Sequence, residues 1–187
     1  MTSVALTKWN TDRKPGLDEV YLQYNSIMNS GASESLLHEN LSSYAMLISA
    51  HLQGFCRELH SECIMWLKIK MPKLSYLFEA VTNRQLLRKN NANPDSIRED
   101  FRNIGCELDS RHAVGSDERD RFDNFIEQLW KLNAWRNHCA HKNETAPSGN
   151  FNMTRVKHWH ELCDAFAKEL DGMIYKYLLE TTDEAPW

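Results

Sequence analysis

The sequence predicts an all-α protein, a helical bundle of long amphipathic helices. Three observations carry that prediction. Apolar residues recur at i, i+3, i+4 and i+7 over several long stretches, the period of one helix face. Gly and Pro are few, at 7 and 5, too few for a turn-rich sheet. No stretch alternates apolar and polar residues in the way a half-buried strand requires. With 187 residues the chain is long enough for one domain with a sizeable core.

The elements follow in chain order. Residues 1–33 are expected as an N-terminal arm, polar and mixed, with a turn signal at Arg13-Lys14-Pro15-Gly16. The arm carries one short helix, Leu17 to Met28, broken by Ser30-Gly31-Ala32-Ser33. A bundle is expected over 34–180. Its first helix runs from Glu34 to Met71, with Leu37, Leu41, Tyr44, Ile48, Phe55, Leu59 and Trp66 on the buried face and Pro72 ending it. Gly54 inside that helix marks a kink, a break or a close packing point. Lys73 to Arg88 is a further helix with Leu74, Leu77, Phe78 and Val81 inward. After a loop at Asn90–Asn93, Asn93 reads as an N-cap with Pro94 at the first helical position. The short helix that follows carries Ile97, Phe101, Ile104 and Leu108. A linker, Asp109 to Ser116, leads to a helix from about Asp117 to about His141. Its stripe is Phe122, Phe125, Ile126, Leu129 and Leu132. A loop at Asn143–Asn150 precedes a last helix, about Thr154 to Glu180, striped by Val156, Trp159, Cys163, Phe166, Leu170, Met173 and Tyr177, with Ile174 beside Met173. Residues 181–187 form a tail.

Composition narrows the function classes. The net charge of -4 argues against a broad basic face for nucleic acid, but not against a local pocket for one or two phosphates. The small basic clusters Lys68, Lys70 and Lys73, then Arg84, Arg88 and Lys89, read as solvated helix surface. No apolar run reaches the roughly 20 residues of a membrane-spanning helix. Met1 to Lys14 has no apolar core of signal-peptide type, so a cytoplasmic address is expected. Cys56, Cys63, Cys106, Cys139 and Cys163 are odd in number, with no CxxC pair, and are expected as reduced, mostly buried thiols.

The most informative run is Arg136-Asn137-His138-Cys139-Ala140-His141. Arg136 follows Leu129 by seven residues and so falls within the apolar stripe. A guanidinium keeps its proton, so a charge on that face must be paired, or left wet and used. His141 lies about 140° further round an ideal helix, close enough for a fraying last turn to bring both side chains over one site. Arg is a planar phosphate ligand and His exchanges protons near neutral pH. Together they point to chemistry on a phosphodiester.

The run Leu132-Asn133-Ala134-Trp135-Arg136-Asn137-His138-Cys139-Ala140-His141 resembles the R-x4-H motif of HEPN domains, in the form with asparagine directly after the arginine. The bundle over about Glu34 to Glu180 is similar in kind to a HEPN-like fold. Lys142 departs from the pattern, since many relatives have glycine there. The resemblance implies a metal-independent endoribonuclease that needs no cofactor. It implies a homodimer in which two motifs meet across a two-fold axis in one composite active site. It also implies RNA as substrate, no membrane, and an antitoxin or antiviral-defence partner, because many relatives are toxins of toxin–antitoxin pairs or defence effectors. In that reading Arg136 and His141 are catalytic. Asn137 orients the phosphate or holds His141 in its useful tautomer. His138 is an auxiliary acid by position, and Trp135 an auxiliary group that stacks on a base or packs.

Other readings stand beside it. Arg136 is also placed to pair with an inward carboxylate such as Glu58 or Glu62. His141 is also a helix-terminal histidine on the dipole, Asn137 a capping residue and His138 an exposed one. A zinc site would draw on His138, Cys139 and His141, with His51, Cys56, His60, Cys63, His158, His160 and Cys163, at spacings that fit no standard signature. A catalytically inactive HEPN-like module for dimerisation, RNA binding or protein binding would use the same helices and the six tryptophans.

Overall fold

The computed structural model describes residues 2–88, 93–108, 116–141 and 145–187, without the side chains of 116–119. The loops expected at 90–92 and 109–115, together with Lys89, Lys142 and Asn143, lie outside the described residues. The fold is all-α, and no strand occurs among the described residues.

α3, Glu34–Lys70, is the axis of the molecule. Ser33 caps it, accepting a hydrogen bond from the Leu36 N–H, and Pro72 follows its end. At 37 residues it exceeds the usual helix length, because neighbours pack along all of it. α6 (Ser116–Ala140) and α7 (Met153–Thr182) lie against it. Leu41, Tyr44, Ile48, Leu52, Phe55, Leu59, Cys63 and Leu67 form its buried stripe. α7 buries Val156, Trp159, Cys163, Phe166, Leu170 and Ile174 against them. α6 adds Phe122, Phe125, Leu129 and Leu132, while Ile126 is half-buried.

The N-terminal residues differ from expectation. They form a helix that runs from α1 (Val4–Lys8) through a π-helical turn (Trp9–Arg13) into α2 (Lys14–Asn29). Ala5, Trp9 and Leu17 are fully buried, so this segment belongs to the bundle core and is not an arm. The turn signal at Arg13–Gly16 fails for a physical reason. Proline in a helix lacks an N–H and its ring collides with the carbonyl four residues back. The widened turn accommodates Pro15: the Lys14 N–H reaches back five residues to the Trp9 carbonyl.

Other corrections are smaller. Leu74 and Leu77 are exposed, because α4 (Ser75–Arg84) rests on the bundle through Phe78 and Val81 only in part. α5 (Pro94–Arg102) starts as expected, the Asn93 side chain accepting from the Ser96 N–H at 2.8 Å. It stops before Ile104 and Leu108, which are buried on either side of a left-handed turn at Gly105. The terminal residues are tied down: Trp187 packs on the core and meets Tyr175, and Glu184 pairs with Lys70.

Several buried polar groups are paired. Asp100 accepts the Leu86 and Leu87 N–H groups through its carboxylate, and its carbonyl accepts from His60 Nε2 at 3.0 Å. Tyr44 Oη and His160 Nδ1 share a hydrogen bond of 2.8 Å. Burial pushes the pKa of both histidines down. The five cysteines are free thiols, four buried and Cys139 half-buried. Burial raises the Cys56, Cys63 and Cys163 thiols, and Cys106 to about 12. Among the described residues no helix is long and apolar enough to cross a membrane.

Candidate functional site

The last turn of α6 sets the site. Arg136 follows Leu129 and Leu132 on the face that meets α3, and it is half-buried. Its side chain borders an open groove of about 420 Å³ on α3, lined by Ser43, Met46, Leu47, Ser49, Ala50 and Gln53. No carboxylate among the described residues pairs with it. The two carboxylates considered as partners are committed elsewhere. Glu58 pairs with Arg13 at 2.8 Å and with Lys8 at 3.5 Å. Glu62 accepts the Val4 and Ala5 N–H groups, at 2.9 and 2.6 Å. Arg136 instead donates from Nη1 to Asn137 Oδ1 at 3.0 Å.

Asn137 joins the two ends of the motif. Its side chain holds the Arg136 guanidinium, and its carbonyl accepts the His141 N–H at 2.9 Å. That second bond continues the helical pattern one residue past α6 and fixes the backbone from which the exposed His141 side chain projects. The structure therefore places Asn137 on the arginine rather than on the imidazole.

Trp135 lies off the α3-facing stripe, as its spacing predicts, yet it is only 6% exposed. The cover comes from the loop before α7. Phe151 stacks on it, centroids 4.6 Å apart at 12°. His38 makes an edge-to-face contact with Phe151, and His138 with Trp135. With so little of its surface open, Trp135 packs and does not offer a face to a nucleobase. The same aromatic row half-buries His138, which is therefore not a fully exposed side chain. Helical periodicity cannot register a loop that folds back, so nothing in the local pattern signals this cover.

The donors named for zinc are dispersed. His60 and His160 each commit one ring nitrogen to a core hydrogen bond, and Cys56, Cys63 and Cys163 are packed in the core. Among the described residues no three His, Cys, Asp or Glu side chains come together to hold a metal ion.

One grouping of residues near the site was missed by sequence reasoning, although it named His51 as a metal donor. Lys8, Arg13, His51 and Arg57 line a second cavity on α3. The signal was present in the spacing of Ala5, Trp9 and Leu17, which marks the preceding segment as a core helix and places Arg13 one turn beyond Trp9. Comparison with protein-family models, with curated proteins and with solved structures found no match.

Proposed function

We propose that the chain is a HEPN-type, metal-independent endoribonuclease working as a homodimer. The observation that carries this reading is Arg136. It is half-buried, has no carboxylate partner among the described residues, and is held by Asn137 at the border of an open groove. A guanidinium retained there with no counter-charge among the described residues has donors to offer an anion.

RNA carries its own nucleophile. His141 takes the proton of the 2′-hydroxyl as that oxygen forms a bond to the adjacent phosphorus. The bond from phosphorus to the 5′-oxygen breaks, and an imidazolium returns a proton to the leaving oxygen. Arg136 holds the non-bridging oxygens and stabilises the added charge. Asn137 positions Arg136. One arginine and one histidine supply few groups for both attack and leaving-group protonation. Two copies across a dyad supply them, and a two-fold contact repeats one patch from each chain. A second chain, antitoxin or defence partner, would hold such an activity in check.

The test is cleavage of single-stranded RNA by purified protein in the presence of a chelator. The expected products end in a 2′,3′-cyclic phosphate and a 5′-hydroxyl, and DNA of the same sequence resists. Activity lost to the chelator would overturn the mechanism. Absence of cleavage of any RNA, with a dimer still formed, would establish the inactive binding module instead.

A further inference from the structure

Arg136 stands on one side of the exposed face of α3. On the other side lies a second cavity, about 460 Å³, walled by Lys8, Asp12 and Arg13 from the N-terminal helix and by His51, Gly54 and Arg57 from α3. Leu47 and Ala50 line both cavities, so the two adjoin across the exposed face of α3. We propose that the second cavity is a phosphate subsite that holds the sugar–phosphate backbone of the RNA whose scissile bond lies at Arg136, an assignment that rests on the nuclease reading for the identity of the polyanion.

The chemistry of the wall favours an anion. Three permanent cations, Lys8, Arg13 and Arg57, face one carboxylate, Asp12, in a chain that is negative as a whole. Glu58, behind them, takes up part of the charge of Lys8 and Arg13. Arg57 is exposed and meets no carboxylate among the described residues. Arg13, paired with Glu58, fixes the wall rather than offering a free donor: its guanidinium lies over Gly54, where an added Cβ would come within 3.1 Å of Nη2. His51 is biased to its neutral form by burial and by the Arg13 charge, and a neutral imidazole donates one N–H without adding a further charge.

The spacing selects the class of anion. Helices pack about 8–10 Å from the axis of a neighbour, so the two walls flanking α3 stand at most about 20 Å apart. A single phosphate cannot reach both. A flexible strand with a phosphate on every residue can, and counterion release then rewards each added contact.

The test uses the full chain and a short single-stranded RNA whose 2′-oxygens are methylated, so that it binds but cannot be cut. Binding is followed by fluorescence anisotropy across a salt series. The variants are Arg57→Gln and the pair Lys8→Gln with Arg57→Gln. Both side chains are solvent-accessible, and unchanged circular dichroism and melting confirm folding. Each lost cation should weaken binding roughly tenfold, the worth of one charge-assisted hydrogen bond. The slope of log Kd on log salt should fall by about 0.7 per cation removed. A double variant that binds like wild type, with the same slope, overturns the subsite even if unmodified RNA is cut in an Arg136-dependent way. If affinity and slope fall but unmodified RNA is never cut, the subsite holds and the nuclease reading fails. A polyglutamate peptide that binds as tightly as the RNA would also overturn the assignment, because the site would then read charge alone.

Discussion

Arg13 and Arg136 approach α3 from opposite sides and meet different terms. Arg13 is 14% exposed at its side chain, 2.8 Å from Glu58 and laid over the bare backbone of Gly54. Arg136 is half-buried beside the groove lined by Met46, Ala50 and Gln53, and it donates the hydrogen bond that holds it to the amide oxygen of its neighbour Asn137. Both guanidiniums have lost part of their water. One has a counter-charge and the other, among the described residues, a neutral dipole. A structural arginine is recognised by its carboxylate, not by its depth. The arginine left without one is the better candidate for work on a substrate anion.

The sharpest way to break this contrast is the rate of RNA cleavage. Arg136→Ala should lower it by about 10²–10³-fold, the usual loss when a donor to a developing oxyanion is removed. His141→Ala should cost about 10²–10⁴-fold as the base is lost. Arg136→Lys should recover only part, because an ammonium lacks the planar fork. Cleavage that survives both alanine substitutions would leave Arg136 a helix-surface arginine and no more.

Stability should sort the two arginines in the reverse order. Breaking a buried ion pair by removing one partner costs about 3–5 kcal/mol, and the partial exposure of Arg13 and Glu58 brings the expectation for Arg13→Ala to about 2 kcal/mol. For a chain of this size that is a fall in Tm of about 4–8 °C. Arg136→Ala should stay within about 1 kcal/mol, since no ion pair among the described residues is broken. Replacing both Arg13 and Glu58 by methionine should return most of the loss. Equal melting of the two single variants would show that the counter-charge at Glu58 does not distinguish them.

How much of this was legible in the sequence follows the same division. α3, α6 and α7 were readable because each buries one continuous stripe, and a stripe is what a period of 3.6 reports. Asn93 before Pro94 was readable because capping is local chemistry. The N-terminal helix was not, since Pro15-Gly16 is a turn signal in isolation and only the π turn lets the helix pass it. Arg136 was readable as a charge on an apolar face. That neither Glu58 nor Glu62 pairs with it was not, because that depends on where the two are spent, on Arg13 and on the first turn of α1. The burial of Trp135 depends on Phe151, beyond the end of α6 and across a loop, and no local pattern encodes that.

The histidines repeat the contrast at a smaller scale. His60 and His160 are held in the core by the Asp100 carbonyl and by Tyr44, and burial depresses their pKa. The unfolded chain protonates these side chains near the ordinary value of about 6.5, while the folded chain resists. The unfolded state therefore binds more protons below that pH, and stability should fall as pH drops from about 7.5 to 5.5. Glu62 and Asp171 act with the opposite sign. Burial raises their pKa, so acidification through the range just above the ordinary carboxylate values relieves them. Urea denaturation at the two pH values checks this, and the double variant His60→Gln with His160→Gln should flatten the dependence. A slope unchanged in that variant would place the proton uptake elsewhere.

The smallest expected effect on stability tests what Asn137 does. Asn137→Asp would give Arg136 the kind of partner that Arg13 already has. The new pair is part-exposed and worth about 0–1 kcal/mol. A carboxylate in the last turn of α6 meets the negative end of the helix dipole, which costs about 0.3–1 kcal/mol. The two offset, so Tm should move by no more than about 2–4 °C in either direction. Cleavage should fall all the same, roughly tenfold, because Arg136 would spend its charge on the new carboxylate instead of on the phosphorane oxygens. Asn137→Ala frees the guanidinium without neutralising it, so it should retain more activity than Asn137→Asp despite losing the same side-chain bond. If the aspartate variant is the more active of the two, holding Arg136 matters more than leaving its charge unpaired, and the distinction drawn between the two arginines fails at that point.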